Sequence, residues 1–344
     1  MPSSSLTALR ARVLSRLAGV QTLVKVRQAV EKRLPDIEIR QLRALQAAYA
    51  GPTGPDVLLF GDSAMFWTRG HEADLRNLGA VIQDELPAGV TVHTIVGPGL
   101  NARIVNAFVQ TFAVPTPSRP KVVVVPTSLL MAASSWIAHP QLGYGHEAPA
   151  LAKLAVAGPG DETKHLPRAD LEDWNRFDHL PAPSLFGAKR TLGEIRMLTN
   201  AIPATANGRP TTNWQQILRV RHILDLSNAE ALTPDGPGVQ AVRELGATLT
   251  GMGLPSVAYI APVNHEVLAK MFQPAAVDHV RRNSVVVEAA YAEGAGSLGT
   301  VVAGTFTSPP AEFSDPLHLN DPGRVRFGRS IAAAVVEAMR SSAS

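Results

Sequence analysis

The sequence predicts an α/β protein in which helices cover both faces of a parallel sheet of about five strands. Short apolar runs rich in Val, Leu and Ile alternate with longer stretches in which apolar residues recur at helical spacing. Runs such as VLLF at 57–60 and VVVV at 122–125 contain no polar residue, which is typical of strands buried on both faces. With 344 residues, of which 45% are hydrophobic, the chain can form a large buried core.

The predicted elements follow this alternation along the chain. The predicted strands are 56–60, 90–96, 121–126, 256–262 and 299–304. The predicted helices are 37–49, 64–86, 100–113, 238–252, 275–293 and 322–340. Asp321 is the expected N-cap of the last helix, with Pro322 at its first position. In such a sheet, ligands bind beyond the carboxyl ends of the strands.

Composition shifts divide the chain into two parts. Residues 1–50 form an N-terminal helical extension, and the turn-rich sequence GPTGP at 51–55 opens an α/β domain over 51–344. Residues 139–235 interrupt the alternation and are predicted to be an insertion. It forms either a lid over the carboxyl edge of the sheet or a lobe on the opposite edge. Its histidines match no tight metal motif.

The N-terminal segment predicts an amphipathic helix with a basic face. Residues 1–34 contain seven Lys and Arg but only one acidic residue, Glu31. The helix either packs on the main domain or makes peripheral contact with an anionic membrane through residues 5–34. A transit peptide is a third, less favoured interpretation.

The overall composition excludes several function classes. The formal net charge is only +3, so we expect no nucleic-acid partner. The chain has no cysteine, which excludes disulfides, a thiol nucleophile and cysteine-ligated metals. Neither a membrane span nor a secretory signal is predicted, and we expect a cytoplasmic protein that can be membrane-peripheral. The sequence gives no indication of the oligomeric state.

One serine stands at a position where catalysis is common. Gly61-Asp62-Ser63 follows the first strand, and Ser63 is either a helix cap or a nucleophile. After the fifth strand, Asp315 and His318 are three residues apart, so their side chains can meet. All three residues are expected at one sheet edge, in the arrangement that a nucleophile, its base and an orienting carboxylate require.

GDS after the first strand and DPLHL before the last helix resemble the SGNH (GDSL-type) hydrolase and acyltransferase superfamily. The resemblance spans roughly residues 55–340, without the insertion. It implies a flavodoxin-like three-layer α/β/α fold, with Ser63 as the nucleophile, His318 as the base and Asp315 as its orienting group. It also implies that no metal or organic cofactor is needed.

The same resemblance implies an oxyanion hole. Its donors would be the backbone N–H groups of Ser63 and of a glycine after the second strand, where Gly99 is favoured over Gly97 because it lies closer to the next helix. The family's usual G-x-N-D block is VVVVPTSLL here, without the asparagine. Ser128 or Thr127 would stand in its place, or Asn101 would reach in from the neighbouring loop.

A second resemblance concerns Asn264. Pro-Val-Asn directly after the fourth strand is similar to a segment of SGNH-like proteins that transfer acyl groups to cell-wall polymers, which makes Asn264 a candidate substrate contact. The alternative is an asparagine that only turns the chain. His265 lacks a nearby acid in the sequence and is not favoured as a base.

The predicted function is a serine-dependent hydrolase of small-molecule or glycan acyl esters that works through an acyl-enzyme. One alternative is an acyltransferase that passes the acyl group to an alcohol or amine, which an insertion that excludes water would favour. The other is a catalytically silent binding module, because the altered third block removes an expected oxyanion donor.

Overall fold

The structure is a computed structural model that describes residues 36–62, 65, 68, 72–97, 99–138, 143–167, 230–272, 274–314 and 318–342. The basic segment 5–34 and most of the insertion lie outside the described residues. So do Ser63 and Asp315, two members of the predicted triad.

All five predicted strands are present, and they pair in parallel in the order β2-β1-β3-β4-β5. They are β1 (Val57–Gly61), β2 (Val92–Val96), β3 (Val122–Pro126), β4 (Ser256–Ile260) and β5 (Gly299–Ala303). The register places Val57 of β1 opposite both Val92 of β2 and Val122 of β3. This strand order is the flavodoxin-like one. The predicted fold class is confirmed.

The three central strands, β1, β3 and β4, are mainly apolar because both of their faces are buried. Successive side chains of a strand point to opposite faces. Leu58 and Phe60 of β1 therefore belong to the core on one face of the sheet, and Val57 and Leu59 to the core on the other. The two edge strands, β2 and β5, are only partly buried.

Helices cover both faces and make the fold a three-layer α/β/α structure. The described helices are α1 (Ile37–Ala48), α2 (Leu78–Glu85), α3 (Ala102–Val109), α4 (Leu129–Ala132), α5 (Ser134–Ile137), α6 (Glu147–Ala157), α7 (Pro237–Gly251), α8 (His265–Phe272), α9 (Pro274–Ala295) and α10 (Asp321–Ser341). One face carries α1, α3, α6, α7 and α9. The other carries α2 and α10, which pack against each other.

The long helix predicted over 64–86 is wrong at residues 72–77. Residues 72–77 are not helical, and α2 begins only at Leu78. The Asn77 side chain accepts a hydrogen bond from the Ala80 N–H (2.8 Å) and so acts as the N-cap. The preceding loop is held by tertiary hydrogen bonds to Arg324, which outweigh its local helix propensity.

The last helix is capped one residue earlier than expected. Asn320, not Asp321, is the N-cap, because its Oδ1 accepts a hydrogen bond from the Gly323 N–H (3.2 Å). The Asp321 carboxylate instead accepts a hydrogen bond from the Asp74 N–H (3.3 Å), in the loop before α2. Asp321 therefore connects the start of α10 to the loop before α2.

Helix α1 is an integral part of the α/β domain. Ile39, Leu42 and Leu45 are at most 2% exposed and belong to the same core cluster as the strands. The division of the sequence at residue 51 placed this helix in the N-terminal extension, but its packing places it in the domain.

The described part of the insertion thickens one helical layer. Its helix α6 packs against α3 and α1. The segment that follows α6 runs beside the start of α1, where the Leu166 N–H donates a hydrogen bond to the Asp36 carboxylate (2.8 Å). The lid interpretation depends mainly on residues 139–142 and 168–229, which lie outside the described residues, so it stays a prediction.

Candidate active site

The candidate site lies where the strand order reverses, between β1 and β3. Doubly wound sheets bind ligands in the crevice at the carboxyl ends of such strands. Gly61 ends β1, and a Cβ there would collide with the side chain of Met65. Asp62 follows and is only 6% exposed. The strand end is therefore tightly packed at the residue before Ser63.

Tyr259 of β4 fixes this strand end from the far side of β3. Its hydroxyl donates a hydrogen bond to the Phe60 carbonyl oxygen (3.3 Å) and accepts one from the backbone N–H of Asp62. Burial raises the pKa of Tyr259 well above its ordinary value, and the nearby Asp62 charge raises it further. The hydroxyl thus stays protonated and keeps donating at any working pH. Sequence reasoning missed this residue.

The loop after β2 separates the two candidate oxyanion glycines. The Gly97 N–H donates a hydrogen bond to the Gly61 carbonyl oxygen (3.1 Å), which extends the pairing of β2 with β1 and uses up this donor. Gly99 has φ +72°, a conformation that suits glycine. No hydrogen bond within the described part of the chain uses the Gly99 N–H. These contacts favour Gly99 as the oxyanion donor.

Asn101 is fully buried and caps α3. Its Oδ1 accepts hydrogen bonds from the Arg103 and Ile104 N–H groups (3.0 and 3.3 Å). Capping employs the amide oxygen, and the role of Asn101 as an oxyanion donor stays a prediction.

The third block offers fewer donors than the sequence suggested. Both the N–H and the Oγ1 of Thr127 donate to the Tyr259 carbonyl oxygen (2.9 and 3.2 Å), and Thr127 is 1% exposed. A hydroxyl has one proton to donate, so Thr127 is excluded as an oxyanion donor. Ser128 caps α4, where its Oγ accepts a hydrogen bond from the Met131 N–H (3.4 Å), which leaves its own proton for another acceptor.

His318 closes a short loop after β5. Its carbonyl oxygen accepts hydrogen bonds from the N–H and the Oγ of Ser314 (2.9 and 3.3 Å). Phe313 and Leu319 form an isolated antiparallel bridge just outside this pair. Asp315 lies between these closed ends in sequence but outside the described residues. His318 itself is half-buried.

A buried arginine connects the His318 loop to the loop that follows Ser63. The Arg324 side chain is 2% exposed and pairs with Glu72, whose side chain is 4% exposed (2.8 Å). Its remaining N–H groups donate to the carbonyl oxygens of Leu319, Asp74 and Arg76 (3.2, 2.7 and 3.0 Å). We refer to Arg324 and its four partners as the clamp. The clamp joins residues 72–76 to the residue next to His318.

Comparison with known proteins supplies no further assignment. No family model matches the chain, and no curated protein matches it significantly. The resemblance to SGNH proteins accordingly stays a prediction.

Asn264 takes the position at the carboxyl end of β4 that the sequence predicted. Its Oδ1 caps α8 by accepting a hydrogen bond from the Val267 N–H (3.2 Å). Its Nδ2 is buried and has no hydrogen-bond partner. The residue therefore turns the chain and also presents an unused donor.

Among the described residues, no group of three or more His, Cys, Asp or Glu side chains could hold a metal ion. No helix in that part of the chain is long and apolar enough to cross a membrane.

Sequence reasoning missed two structural residues, Arg324 and Tyr259, although each stands out from its neighbours in the sequence. Arg324 shares a helix face with Phe327 and Ile331, which places a charge on the apolar stripe of α10. Tyr259 places a polar hydroxyl in a strand that is fully buried. Buried charges and buried tyrosines both need partners, and each of these residues finds them next to the candidate site.

Proposed function

We propose that this protein is a serine-dependent hydrolase of O-acyl esters, with Ser63 as nucleophile, His318 as base and Asp315 as the group that orients the imidazole. Ser63 Oγ attacks the acyl carbonyl carbon while His318 takes its proton. The tetrahedral intermediate collapses when His318 returns that proton to the leaving alcohol. Water, deprotonated by His318, then attacks the acyl-enzyme, and His318 returns the proton to Ser63 Oγ as the acid is released.

The clamp is the observation that supports this proposal. Ser63 lies between Gly61, the last residue of β1, and the clamped residues 72–76, whereas His318 directly precedes clamped Leu319. A buried arginine with four hydrogen bonds to two loops holds those loops in one relative position. Such a link suits a nucleophile and a base that must stay within hydrogen-bonding reach.

The hydrogen bonds around the strand ends support an oxyanion hole at the same edge. Gly97 and Thr127 have used their donors in holding the sheet together, whereas the Gly99 N–H has no acceptor among the described residues. The Gly99 N–H, together with the Ser63 N–H, would stabilise the negative oxygen of the tetrahedral intermediate. Asn101 or Ser128 would supply a third donor.

Covalent labelling tests the nucleophile directly. A fluorophosphonate should modify Ser63 in the full-length protein, as peptide mass mapping would show. Ser63→Ala should abolish labelling and lower the hydrolysis of p-nitrophenyl acetate by a factor on the order of 10³ or more. Ser330→Ala is the matched control, because Ser330 is an exposed serine whose Oγ donates to the Arg326 carbonyl oxygen. Labelling that persists in Ser63→Ala would refute the proposal.

The acceptor of the acyl group is tested on the same enzyme. An acyl-enzyme that reacts with water releases free acid, and one that reacts with an added alcohol yields a new ester. Product analysis of p-nitrophenyl acetate turnover, with and without glycerol, distinguishes the two. Free acid as the main product in both reactions would support the hydrolase, whereas a new glycerol ester would support the transferase.

A further inference from the structure

The two edges of the sheet are not covered in the same way. Helix α1 contacts edge strand β2, where the Gln41 side chain donates a hydrogen bond to the Val96 carbonyl oxygen (2.7 Å). At the opposite edge β5 pairs with β4 alone, and among the described residues no other hydrogen bond involves the backbone of Gly299–Ala303. An edge strand presents a row of N–H and C=O groups that can pair with a further strand. In the described part of the chain, that row is open on β5.

Strand β5 also lacks the features that usually prevent edge strands from pairing. Soluble proteins protect such strands with charged side chains, prolines or bulges. The sequence of β5 is GTVVA, without charge or proline, and its register with β4 runs from Gly299 to Ala303 without a bulge. Thr300 and Ala303 are exposed, and Val301 and Val302 are half-buried. An uncharged edge with β-branched residues suits pairing with another strand.

Helix α9 extends this surface beside β5, on which it packs. Arg281, Val285 and Glu288 follow one another at intervals of four and three residues, so they lie along one side of the helix. That side faces the edge of the sheet, because all three residues line a cavity of about 240 Å³ together with Ala303 at the end of β5. Val285, at the centre of the three, is 58% exposed. We refer to β5 and this side of α9 as the β5 face.

The charges of the β5 face are complementary to those of a second copy. Arg281 lies one turn before Val285 and Glu288 lies about one turn after it, so a cation and an anion flank an apolar centre. A two-fold axis at this centre places Arg281 of each copy next to Glu288 of the other and makes the two β5 strands antiparallel. Within one copy Arg281 pairs with Asp278 in an exposed pair, which leaves further guanidinium N–H groups to donate. A second copy therefore supplies both an open edge strand and the matching order of charges.

The β5 face is also large enough for a dimer interface. Strand β5 alone is about 17 Å long and would be too small. Helix α9 has 22 residues and is about 33 Å long. A strip of that length and about 20 Å deep, which spans the helix and the sheet layer, has an area on the order of 700 Å². Stable interfaces bury about 800 Å² per partner.

We propose that the β5 face binds a second copy of this chain, so that two five-stranded sheets join into one sheet of ten strands across a two-fold axis near Val285 and Ala303. This inference goes beyond the proposed function and does not depend on it, because association can be measured without catalysis.

Sedimentation velocity of the full-length protein measures the oligomeric state. At about 100 μM we expect a dimer, because interfaces of this size have dissociation constants in the micromolar range or below. A monomer at this concentration would overturn the inference. Larger, heterogeneous assemblies would overturn it as well, because a two-fold contact closes at two copies.

A pair of valine variants then tests whether the dimer uses the β5 face. Val285→Arg places two like charges across the axis and should raise the dissociation constant of the dimer by a factor on the order of 10². Val156→Arg is the matched control, because Val156 is a valine on α6 that is 46% exposed. It should leave the dissociation constant unchanged. A dimer that Val285→Arg does not weaken, or that both variants weaken equally, would refute this surface.

Cross-linking tests the position of the axis, since a residue near a two-fold axis lies close to the same residue of the other copy. The chain has no cysteine, so Ala303→Cys introduces a single thiol. A short bismaleimide should join two copies of this variant in high yield. Thr94→Cys is the matched control, because Thr94 is an exposed residue of the other edge strand, and it should be joined little. Equal yields, or a dimer that Ala303→Cys does not cross-link, would show that β5 is not at the interface and would overturn the proposal.

Discussion

At the scale of single residues, the candidate site is defined by which donors are already in use. Gly97 and Thr127 stand where the sequence allowed an oxyanion donor, but each donates to a carbonyl oxygen of the neighbouring strand. The sequence alone favoured Gly99 over Gly97 through its distance from the next helix. It could not exclude Thr127, because the hydrogen bond to Tyr259 joins residues 132 positions apart.

Gly99→Ala tests the oxyanion assignment. Gly99 has φ +72°, so a Cβ costs about 1–2 kcal/mol of backbone strain and shifts the N–H. We expect the rate of fluorophosphonate labelling to fall by about tenfold or more, because one well-placed oxyanion donor contributes on the order of 10²–10³ to the rate.

Gly89→Ala is the control for this prediction. Gly89 has φ +90° in an exposed turn, and a Cβ there would meet nothing within 4 Å. It should destabilise the protein by a similar amount, measured by urea denaturation, without slowing labelling. Equal labelling rates in the two variants would contradict the role of Gly99.

At the scale of elements, the strands were predictable and one helix was not. Runs such as VVVV in β3 are buried on both faces, so burial alone fixes their conformation and local sequence reveals it. Residues 72–77 have an equally plausible helical pattern, but their conformation depends on Arg324, about 250 residues away. Contacts of that range leave no local signal in the segment they restrain.

His93 on edge strand β2 predicts a pH-dependent stability. Burial lowers the pKa of His93 below its ordinary value, so the unfolded chain binds the proton more tightly than the folded one does. The contribution of His93 to the free energy of unfolding is therefore fully present above about pH 6.5, the usual pKa of histidine. It is lost as the pH falls below that value.

The measurement is urea denaturation near pH 7.5 and pH 5.5 at constant ionic strength. His93→Gln removes this titrating group, so the variant should lose less stability than the wild type between the two pH values. The remaining histidines are common to both proteins and cancel in the comparison. An identical pH dependence would show that His93 does not contribute.

At the scale of the whole molecule, the clamp connects the first βα loop to the last helix. The candidate nucleophile and base lie at opposite ends of the chain, and the sheet brings their loops to one edge without fixing them to each other. Arg324 supplies that connection through one ion pair and three carbonyl contacts. Its buried charge was visible in the sequence as an arginine on an apolar helix face, but its partners were not.

Arg324→Met should strongly destabilise the protein. It leaves the Glu72 carboxylate buried without its counter-charge and three carbonyl oxygens without their donor. Removing one partner of a buried ion pair costs about 3–5 kcal/mol. Arg326→Met is the matched control on the same helix, because the Arg326 side chain is 45% exposed where it pairs with Glu312, and such pairs contribute about 1 kcal/mol or less. Urea denaturation measures both costs, and equal values would show that the clamp is not a stabilising element.

Arg324→Lys separates the positioning role of the clamp from its contribution to stability. Lysine keeps the charge that balances Glu72 but lacks the planar fork that reaches several carbonyl oxygens at once. We expect this variant to stay folded at low temperature and to be labelled by a fluorophosphonate more slowly than Arg326→Met, because the base loop is no longer fixed relative to the Ser63 loop. Far-UV circular dichroism, recorded before each labelling experiment, confirms that the protein is folded. If folded Arg324→Lys is labelled as fast as Arg326→Met, the clamp stabilises the fold without positioning His318.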